Sequence, residues 1–224
     1  RLEPGMADDP AAALVYLDRL LAGQGVAYSV LGANGEAIAG VSRAELLSCA
    51  SRARLFLNVM GFVRDPALLA AVRHRVFLDI DPGFGQLWHE QGLADLFEGH
   101  DAFVTVGRNL GRDGCGVPTC GLKWVALPHP VVLGRCPVKP VVVGPFTSVG
   151  SWRGPYGAVR WKGRTYGLKV HEFRKFIELP LRTNQRFELA LDIHPADRQD
   201  LKMLQRHGWV VVNPGEVAPD TEAF

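Results

Sequence analysis

Apolar runs alternate with amphipathic segments through the first half of the chain. Leucines recur at helical spacing over 11–21 and predict a helix. The apolar run 26–31 predicts a strand, and Ser42 with Glu45 forms a capping-box pattern that predicts the start of a second helix. This alternation of strands and helices is typical of an α/β protein.

Further strands are predicted where apolar residues follow one another without polar alternation, at 55–60, 75–80 and 102–106. Such runs are typical of parallel strands that are buried on both faces. Asp65 and Pro66 predict the start of a short helix between the first two of these strands. The order of the elements predicts a parallel sheet in this half of the chain.

The regular alternation stops at 134–140, which reads GRCPVKP and has the composition of a stiff linker. A new series begins with the apolar run 141–146. Its further predicted elements are a helix over 169–177 and strands at 187–193 and 209–212. We therefore predict two domains, 1–137 and 138–224, with separate sheets.

Composition and charge narrow the function classes. Hydrophobic residues make up 47% of the chain and charged residues 21%, which predicts a folded core. The formal charge of +2 comes from 25 basic and 23 acidic residues, and this near balance predicts no basic field that would hold a nucleic acid or an anionic membrane. No apolar run is long enough to span a bilayer and no signal-peptide pattern is found, so the sequence predicts a cytoplasmic protein.

The four cysteines are too few for a disulfide scaffold in a chain of 224 residues. Cys115 and Cys120 lie close together in a glycine-rich loop, at a spacing that a zinc site tolerates. No second cysteine pair follows at the spacing of a zinc finger. We therefore predict that Cys115 and Cys120 bind no metal and form no disulfide.

Two acids follow one of the predicted strands, in the run VFLDIDPG at 76–83. Ligand sites of open α/β sheets lie outside the carboxyl ends of the strands, so Asp79 and Asp81 are candidates for chemistry. Together they offer carboxylate oxygens to Mg²⁺ for phosphoryl transfer. Alternatively, Asp81 caps the turn and Asp79 accepts hydrogen bonds from backbone amides. Gly83 stands where haloacid-dehalogenase-type phosphatases have Thr or Val, which disfavours that class.

The second candidate segment is 143–154, an apolar run that leads into a loop of small residues. Backbone N–H groups in such a loop approach phosphate closely, and Arg153 adds a bidentate donor. The segment matches neither the P-loop nor the dinucleotide-binding glycine pattern. An ordinary turn with Trp152 packed on the core is the alternative. On the following helix, Lys169 belongs either to a solvated face or to a phosphate contact.

Several segments in combination resemble a bacterial family of GT-B-type glycosyltransferases. They are FLDIDPGFGQLWHEQG at 77–92, VTVGRNLG at 104–111, CGVPTCGLKW at 115–124, PFTSVGSWRG at 145–154 and GWVVVNP at 208–214. The resemblance covers the chain from about Val76 onward. It implies two Rossmann-like domains that face each other across a cleft, both incomplete in this chain.

The resemblance also implies roles for individual residues. The N-terminal domain would bind a small-molecule or glycan acceptor and the C-terminal domain a nucleotide-sugar donor, which acts as co-substrate without a bound metal or other cofactor. Asp81 is then the candidate catalytic base, supported by Asp79. Donor-phosphate contacts are assigned to Gly150, Ser151, Arg153 and Lys169, and substrate contacts to Gly83, Gln86, Asn109 and Trp152.

The sequence is also compatible with two other functions. One is Mg²⁺-dependent phosphoryl transfer with Asp79 and Asp81 as metal ligands. The other is a non-catalytic α/β domain that binds a sugar or a nucleotide.

Overall fold

The computed structural model describes residues 10–21, 24–135, 138, 140, 143–154, 156–167 and 169–217. The chain divides into two compact units, an N-terminal unit, Arg1–Pro130, and a C-terminal unit, Val131–Phe224. Each unit has its own parallel sheet, which confirms the α/β class. No helix among the described residues is long and apolar enough to cross a bilayer.

The N-terminal unit begins with helix α1 (Pro10–Leu21), strands β1 (Ser29–Leu31) and β2 (Ala37–Gly40), and helix α2 (Arg43–Arg52). The predicted capping box starts α2: the Ser42 hydroxyl accepts from the Glu45 amide at 3.3 Å, and the Glu45 carboxylate accepts from the Ser42 amide at 2.9 Å. β1 pairs with β2 in an antiparallel hairpin that the sequence reasoning missed. Gly40 permits this pairing, since a Cβ there would lie 2.0 Å from the Tyr28 carbonyl oxygen.

The main sheet of this unit contains strands β3 (Phe56–Val59), β4 (Arg75–Asp79), β5 (Ala102–Thr105) and β6 (Trp124–Ala126), all parallel and in that order. Helix α3 (Pro66–Ala71) follows β3, and helix α4 (Phe84–Glu90) follows β4. Asp65 caps α3 as predicted, because its carboxylate accepts from the Leu68 amide at 2.9 Å. Right-handed crossovers in this strand order bring successive helices to one face of the sheet.

The two faces of this sheet are unequally covered. Phe77 is 1% exposed and its ring packs edge-on against Phe97 and Trp124. On the opposite face Leu57 and Val125 are about half exposed, at 52% and 51%. The prediction of burial on both faces is therefore wrong for β3, whereas Val76 of β4, on the same face as Leu57, is buried at 8% exposure. The consecutive strand order is the physical reason, since it places the crossover helices on the same side.

The C-terminal unit has a parallel sheet of strands β7 (Phe146–Ser151), β10 (Phe187–Asp192) and β11 (Trp209–Val212), in the order β7, β10, β11. Its other elements are strands β8 (Val159–Trp161) and β9 (Arg164–Tyr166), helices α5 (Lys169–Arg174), α6 (Arg198–Arg206) and α7 (Pro214–Val217), and 3₁₀ turns at Leu179–Arg182 and Pro195–Asp197. The predicted strands at 187–193 and 209–212 are confirmed, whereas the helix predicted over 169–177 ends at Arg174.

A cluster of buried residues forms the core of the C-terminal unit: Trp152, Val170, Ile177, Leu189, Leu204 and Trp209. Both indole N–H groups are satisfied. Trp209 Nε1 donates to the Ile177 carbonyl at 2.7 Å, and Trp152 Nε1 donates to Asp200 Oδ2 at 2.8 Å. Asp200 also accepts from Arg174 Nη2 at 2.7 Å and Nε at 3.1 Å, and this pairing lowers the pKa of Asp200 below its ordinary value.

Asp200→Ala is expected to lower the free energy of unfolding by about 2–3 kcal/mol. The substitution leaves the buried Trp152 N–H without its acceptor, whereas the partly exposed Arg174 guanidinium regains water. Glu178→Ala is the matched control, because it removes an ion pair in which both side chains are exposed, 72% for Arg182 and 58% for Glu178, and should change stability by less than about 1 kcal/mol. Urea unfolding followed by tryptophan fluorescence measures both variants. Equal losses would show that the indole contact contributes nothing.

Candidate functional site

The two acids of the predicted site lie at the carboxyl end of β4 and differ in exposure. Asp79 is the last residue of the strand and is 1% exposed, whereas Asp81 lies just beyond it and is exposed. The carboxyl edge of a parallel sheet is the usual place for ligands. Asp81 therefore stands at that edge with its side chain accessible, and Asp79 is enclosed by protein.

The Asp79 carboxylate is the central acceptor of a buried hydrogen-bond network. Its Oδ2 accepts from Gln86 Nε2 at 2.7 Å and from Thr105 Oγ1 at 3.1 Å. Its Oδ1 accepts from the Asp81 backbone amide at 3.1 Å. Burial raises the pKa of Asp79 above its ordinary value, and the three hydrogen bonds oppose part of that rise. In this structure Asp79 holds the turn that presents Asp81.

Gln86 and Thr105 carry the network into the loops after β4 and β5. Gln86 Oε1 accepts from the Gly83 amide at 2.7 Å, and Thr105 Oγ1 accepts from the Gly107 amide at 2.9 Å. Gly107 also packs against Pro82, since a Cβ at position 107 would lie 2.9 Å from Pro82 Cγ. The two loops are thereby fixed against each other.

A shallow depression of about 200 Å³ lies between these two loops. Its lining includes Pro82, Arg108, Asn109 and Cys115. Arg108 and Asn109 are exposed and offer hydrogen-bond donors to a polar ligand. Within the part of the chain that the structure describes, the Asp81 carboxylate accepts no hydrogen bond from protein. It is therefore available to a hydroxyl group of a ligand.

The structure gives the four predicted substrate residues different surroundings. Asn109 lines the depression. Gln86 is 1% exposed and both ends of its amide are engaged inside the protein, so its side chain supports the loop and does not face the surface. The Gly83 amide is likewise occupied by Gln86, and its φ of +142° requires glycine. Trp152 is 2% exposed and belongs to the core, as the alternative interpretation of its segment predicted.

A second pocket, of about 160 Å³, lies in the C-terminal unit between β7, β10 and α5. Three of the predicted phosphate contacts, Gly150, Ser151 and Lys169, line this pocket together. Lys169 Nζ lies 3.5 Å from Ser151 Oγ, so an ammonium group and a hydroxyl meet at one point. The fold thus brings the end of β7 and the start of α5, which are distant in sequence, to the same pocket.

Arg153, the fourth predicted phosphate contact, has an acidic partner instead. Its Nε and Nη2 each donate to an Asp197 carboxylate oxygen at 2.7 Å. Asp197 is largely buried, with 12% of its side chain exposed. A bidentate pair occupies the guanidinium donors that a phosphate would use. Arg153 therefore braces the loop after β7 against the turn before α6.

Metal ligands are not clustered in the part of the chain that the structure describes. No group of three or more His, Cys, Asp or Glu side chains that would hold a metal ion occurs among the described residues. Cys115 and Cys120 are free thiols. The Cys120 thiol donates to the Gln86 carbonyl at 3.4 Å, and burial, with a smaller effect of Glu90, raises the pKa of Cys120 to about 12. The raised pKa disfavours the thiolate, the form in which a cysteine acts as a nucleophile.

The sequence reasoning missed Thr105 as a member of the site. Thr105 is fully buried, and it lies opposite Asp79 in the parallel register of β4 and β5. The sequence predicts both strands, but only the strand order shows that they are neighbours. Comparisons of the chain with protein-family models, with curated proteins and with solved structures each found no match.

Proposed function

We propose that the chain is part of a glycosyltransferase that moves a sugar from a nucleotide-sugar donor to a hydroxyl group of an acceptor. The observation that supports this proposal most is the pocket of the C-terminal unit, where Gly150, Ser151 and Lys169 come together. A lysine ammonium and a serine hydroxyl are donors that suit phosphate oxygens. A pocket of about 160 Å³ has room for a phosphate group, while the base and sugar of a donor would extend beyond it.

The N-terminal unit would hold the acceptor in the depression that is lined by Pro82, the residue that follows Asp81. Asp81 is exposed, and the buried network around Asp79 fixes the turn that carries it. In the proposed reaction the Asp81 carboxylate takes the proton of the acceptor hydroxyl. The hydroxyl oxygen then bonds to the anomeric carbon, and the bond from that carbon to the donor diphosphate breaks. In the C-terminal unit the Lys169 ammonium would contact the donor diphosphate.

Mg²⁺-dependent phosphoryl transfer has less support from the geometry. Both oxygens of Asp79 accept hydrogen bonds from amide or hydroxyl donors, and its side chain is enclosed. A magnesium ion prefers carboxylates that are open to it and to water. A binding domain without catalysis would use the same pocket, and only turnover separates it from the enzyme.

Lys169→Met is expected to weaken binding of a nucleoside diphosphate by about 10–100-fold, because one charge-assisted contact to phosphate is lost. Titration calorimetry with uridine, guanosine and adenosine diphosphates measures the effect. Lys175→Met is the matched control, since Lys175 pairs with Glu172 at 2.6 Å and does not line the pocket. Unchanged affinity in Lys169→Met, or an equal loss in the control, would remove this pocket from the proposal.

A further inference from the structure

The depression between the loops after β4 and β5 carries an unbalanced charge. Among the described residues that line it, Arg108 is a cation and none is an acid. The segment 107–123 contains every lining residue except Pro82, and it holds three basic residues and one acidic residue, a formal charge of +2. A surface of this sign attracts an anionic ligand.

The guanidinium group of Arg108 is unpaired. Two other arginines of the same unit are held by carboxylates: Arg43 donates to Asp65 at 2.8 Å and 3.1 Å, and Arg75 donates to Asp101 at 2.7 Å and 3.0 Å. Arg108 is exposed and has no acidic or other hydrogen-bond partner in the part of the chain that the structure describes. A guanidinium in this state offers its planar set of donors to a carboxylate or a phosphate of a ligand.

Further hydrogen-bond donors lie next to this guanidinium in the chain. The Leu110 amide donates to the Gly107 carbonyl at 3.0 Å, and this turn places the backbone N–H groups of Arg108 and Asn109 in succession. Neither of these N–H groups, nor the side-chain amide of Asn109, has an acceptor among the described residues. Successive backbone N–H groups suit an oxyanion, and a side-chain amide exchanges hydrogen bonds with a hydroxyl group.

The base of the loop that carries Arg108 is fixed without a ligand. The Val106 amide donates to the Asp79 carbonyl at 3.0 Å, and the Gly107 amide donates to Thr105 Oγ1 at 2.9 Å. These bonds hold the first residues of the loop against β4 and β5. Binding therefore has to order the Arg108 side chain but not the start of the loop, which lowers the entropy cost.

We infer that this depression binds the acidic group of a sugar, so that the acceptor of the proposed reaction is a sugar carboxylate or a sugar phosphate. Arg108 holds the oxyanion, and Asn109 exchanges hydrogen bonds with a hydroxyl group of the same sugar. Asp81 precedes Pro82, and its carboxylate repels an oxyanion, so a hydroxyl group and not the acidic group is expected next to it. The identity of the ligand as an acceptor rests on the proposed function, whereas the oxyanion site depends only on residues of the N-terminal unit.

Titration calorimetry of the full chain with glucose, glucuronate, glucose 1-phosphate and glucose 6-phosphate tests the inference. We expect at least one acidic sugar to bind about 10–100-fold more tightly than glucose, because it gains a charge-assisted pair with Arg108. A preference for glucuronate would identify a carboxylate ligand, and a preference for the sugar phosphates would identify a phosphate ligand. In amide NMR spectra the ligand that binds most tightly should shift the signals of Arg108 and Asn109.

Variants of the loop separate Arg108 from general electrostatic attraction. Arg108→Gln should remove most of the preference for acidic sugars. Arg108→Lys should restore part of it, since lysine keeps the charge but lacks the bidentate set of donors. Arg112→Gln is the matched control and should change the affinity little, because Arg112 is exposed in the same loop and does not line the depression.

The outcomes for this site and for the Lys169 pocket can be told apart. Equal affinities for glucose and the acidic sugars, absence of binding at millimolar concentration, or equal losses in Arg108→Gln and Arg112→Gln would overturn the inference, even if a nucleotide sugar binds at Lys169. Binding of an acidic sugar that depends on Arg108 supports the oxyanion site even if no nucleotide sugar binds. In that case only the proposed glycosyl transfer fails.

Discussion

Asp81→Asn is expected to lower glycosyl transfer by about 10²–10⁴-fold while the affinity for the donor changes little. Asparagine keeps the shape of the side chain but takes no proton from an acceptor hydroxyl. Asp81 is exposed at the carboxyl end of β4, and Pro82 restricts it to an extended backbone, so the variant should keep the fold of the loop.

Release of nucleoside diphosphate from a panel of uridine, guanosine and adenosine diphosphate sugars, in the presence of glycan acceptors, measures this effect. Glu98→Gln is the control, because Glu98 is an exposed carboxylate of the same unit outside the lining of the depression. Turnover of Asp81→Asn close to that of the wild type would remove Asp81 from the mechanism.

Asp79→Ala is expected to lower the free energy of unfolding by about 2–5 kcal/mol. The substitution leaves the buried donors Gln86 Nε2 and Thr105 Oγ1 without their acceptor and frees the Asp81 amide. Asp81→Ala is the control within the same motif and should change stability by less than about 0.5 kcal/mol, since its side chain is exposed. Urea unfolding measures both, and equal effects would contradict the division of roles between the acids.

The pH dependence of stability provides a second readout for Asp79. Burial raises the pKa of Asp79 in the folded state, so the unfolded chain loses its proton first as the pH rises. The contribution of this carboxyl to stability is therefore fully present below its unfolded pKa of about 4 and is lost as the pH rises through the folded pKa. Because Asn does not titrate, the unfolding free energy of the wild type minus that of Asp79→Asn should fall as the pH rises over that range. A value that rises with pH would contradict the raised pKa.

Local signals in the sequence predict much of the fold. The capping box at Ser42 and Glu45 and the cap at Asp65 depend on neighbouring residues alone, and both are confirmed. The β8–β9 hairpin has a local signal too, the Lys162–Gly163 pair between short β-favouring runs, but the sequence analysis did not predict it. The open face of the sheet around Leu57 depends on strand order, which the sequence does not contain.

In the candidate sites, too, local sequence signals indicate a segment, but tertiary contacts decide what each side chain does. Gln86 and Arg153 are polar residues in motifs that favour ligand contact, yet tertiary partners occupy their donors. Asp79 and Thr105 become neighbours only through the pairing of β4 and β5. Lys169 and Ser151 are brought together by the connection between β7 and β10. Sequence reasoning selects candidate segments, and the packing determines which side chain in each segment remains available.

The most direct test of the central proposal is to map where a nucleotide sugar binds on the full chain by amide nitrogen–proton NMR. Titration with uridine, guanosine and adenosine diphosphate sugars should shift the amide signals of Gly150, Ser151 and Lys169 with at least one donor, and the corresponding nucleoside diphosphate should shift the same signals. Nucleotide-sugar binding that leaves these signals unchanged and shifts others, or no shift with any donor at millimolar concentration, would contradict the proposal.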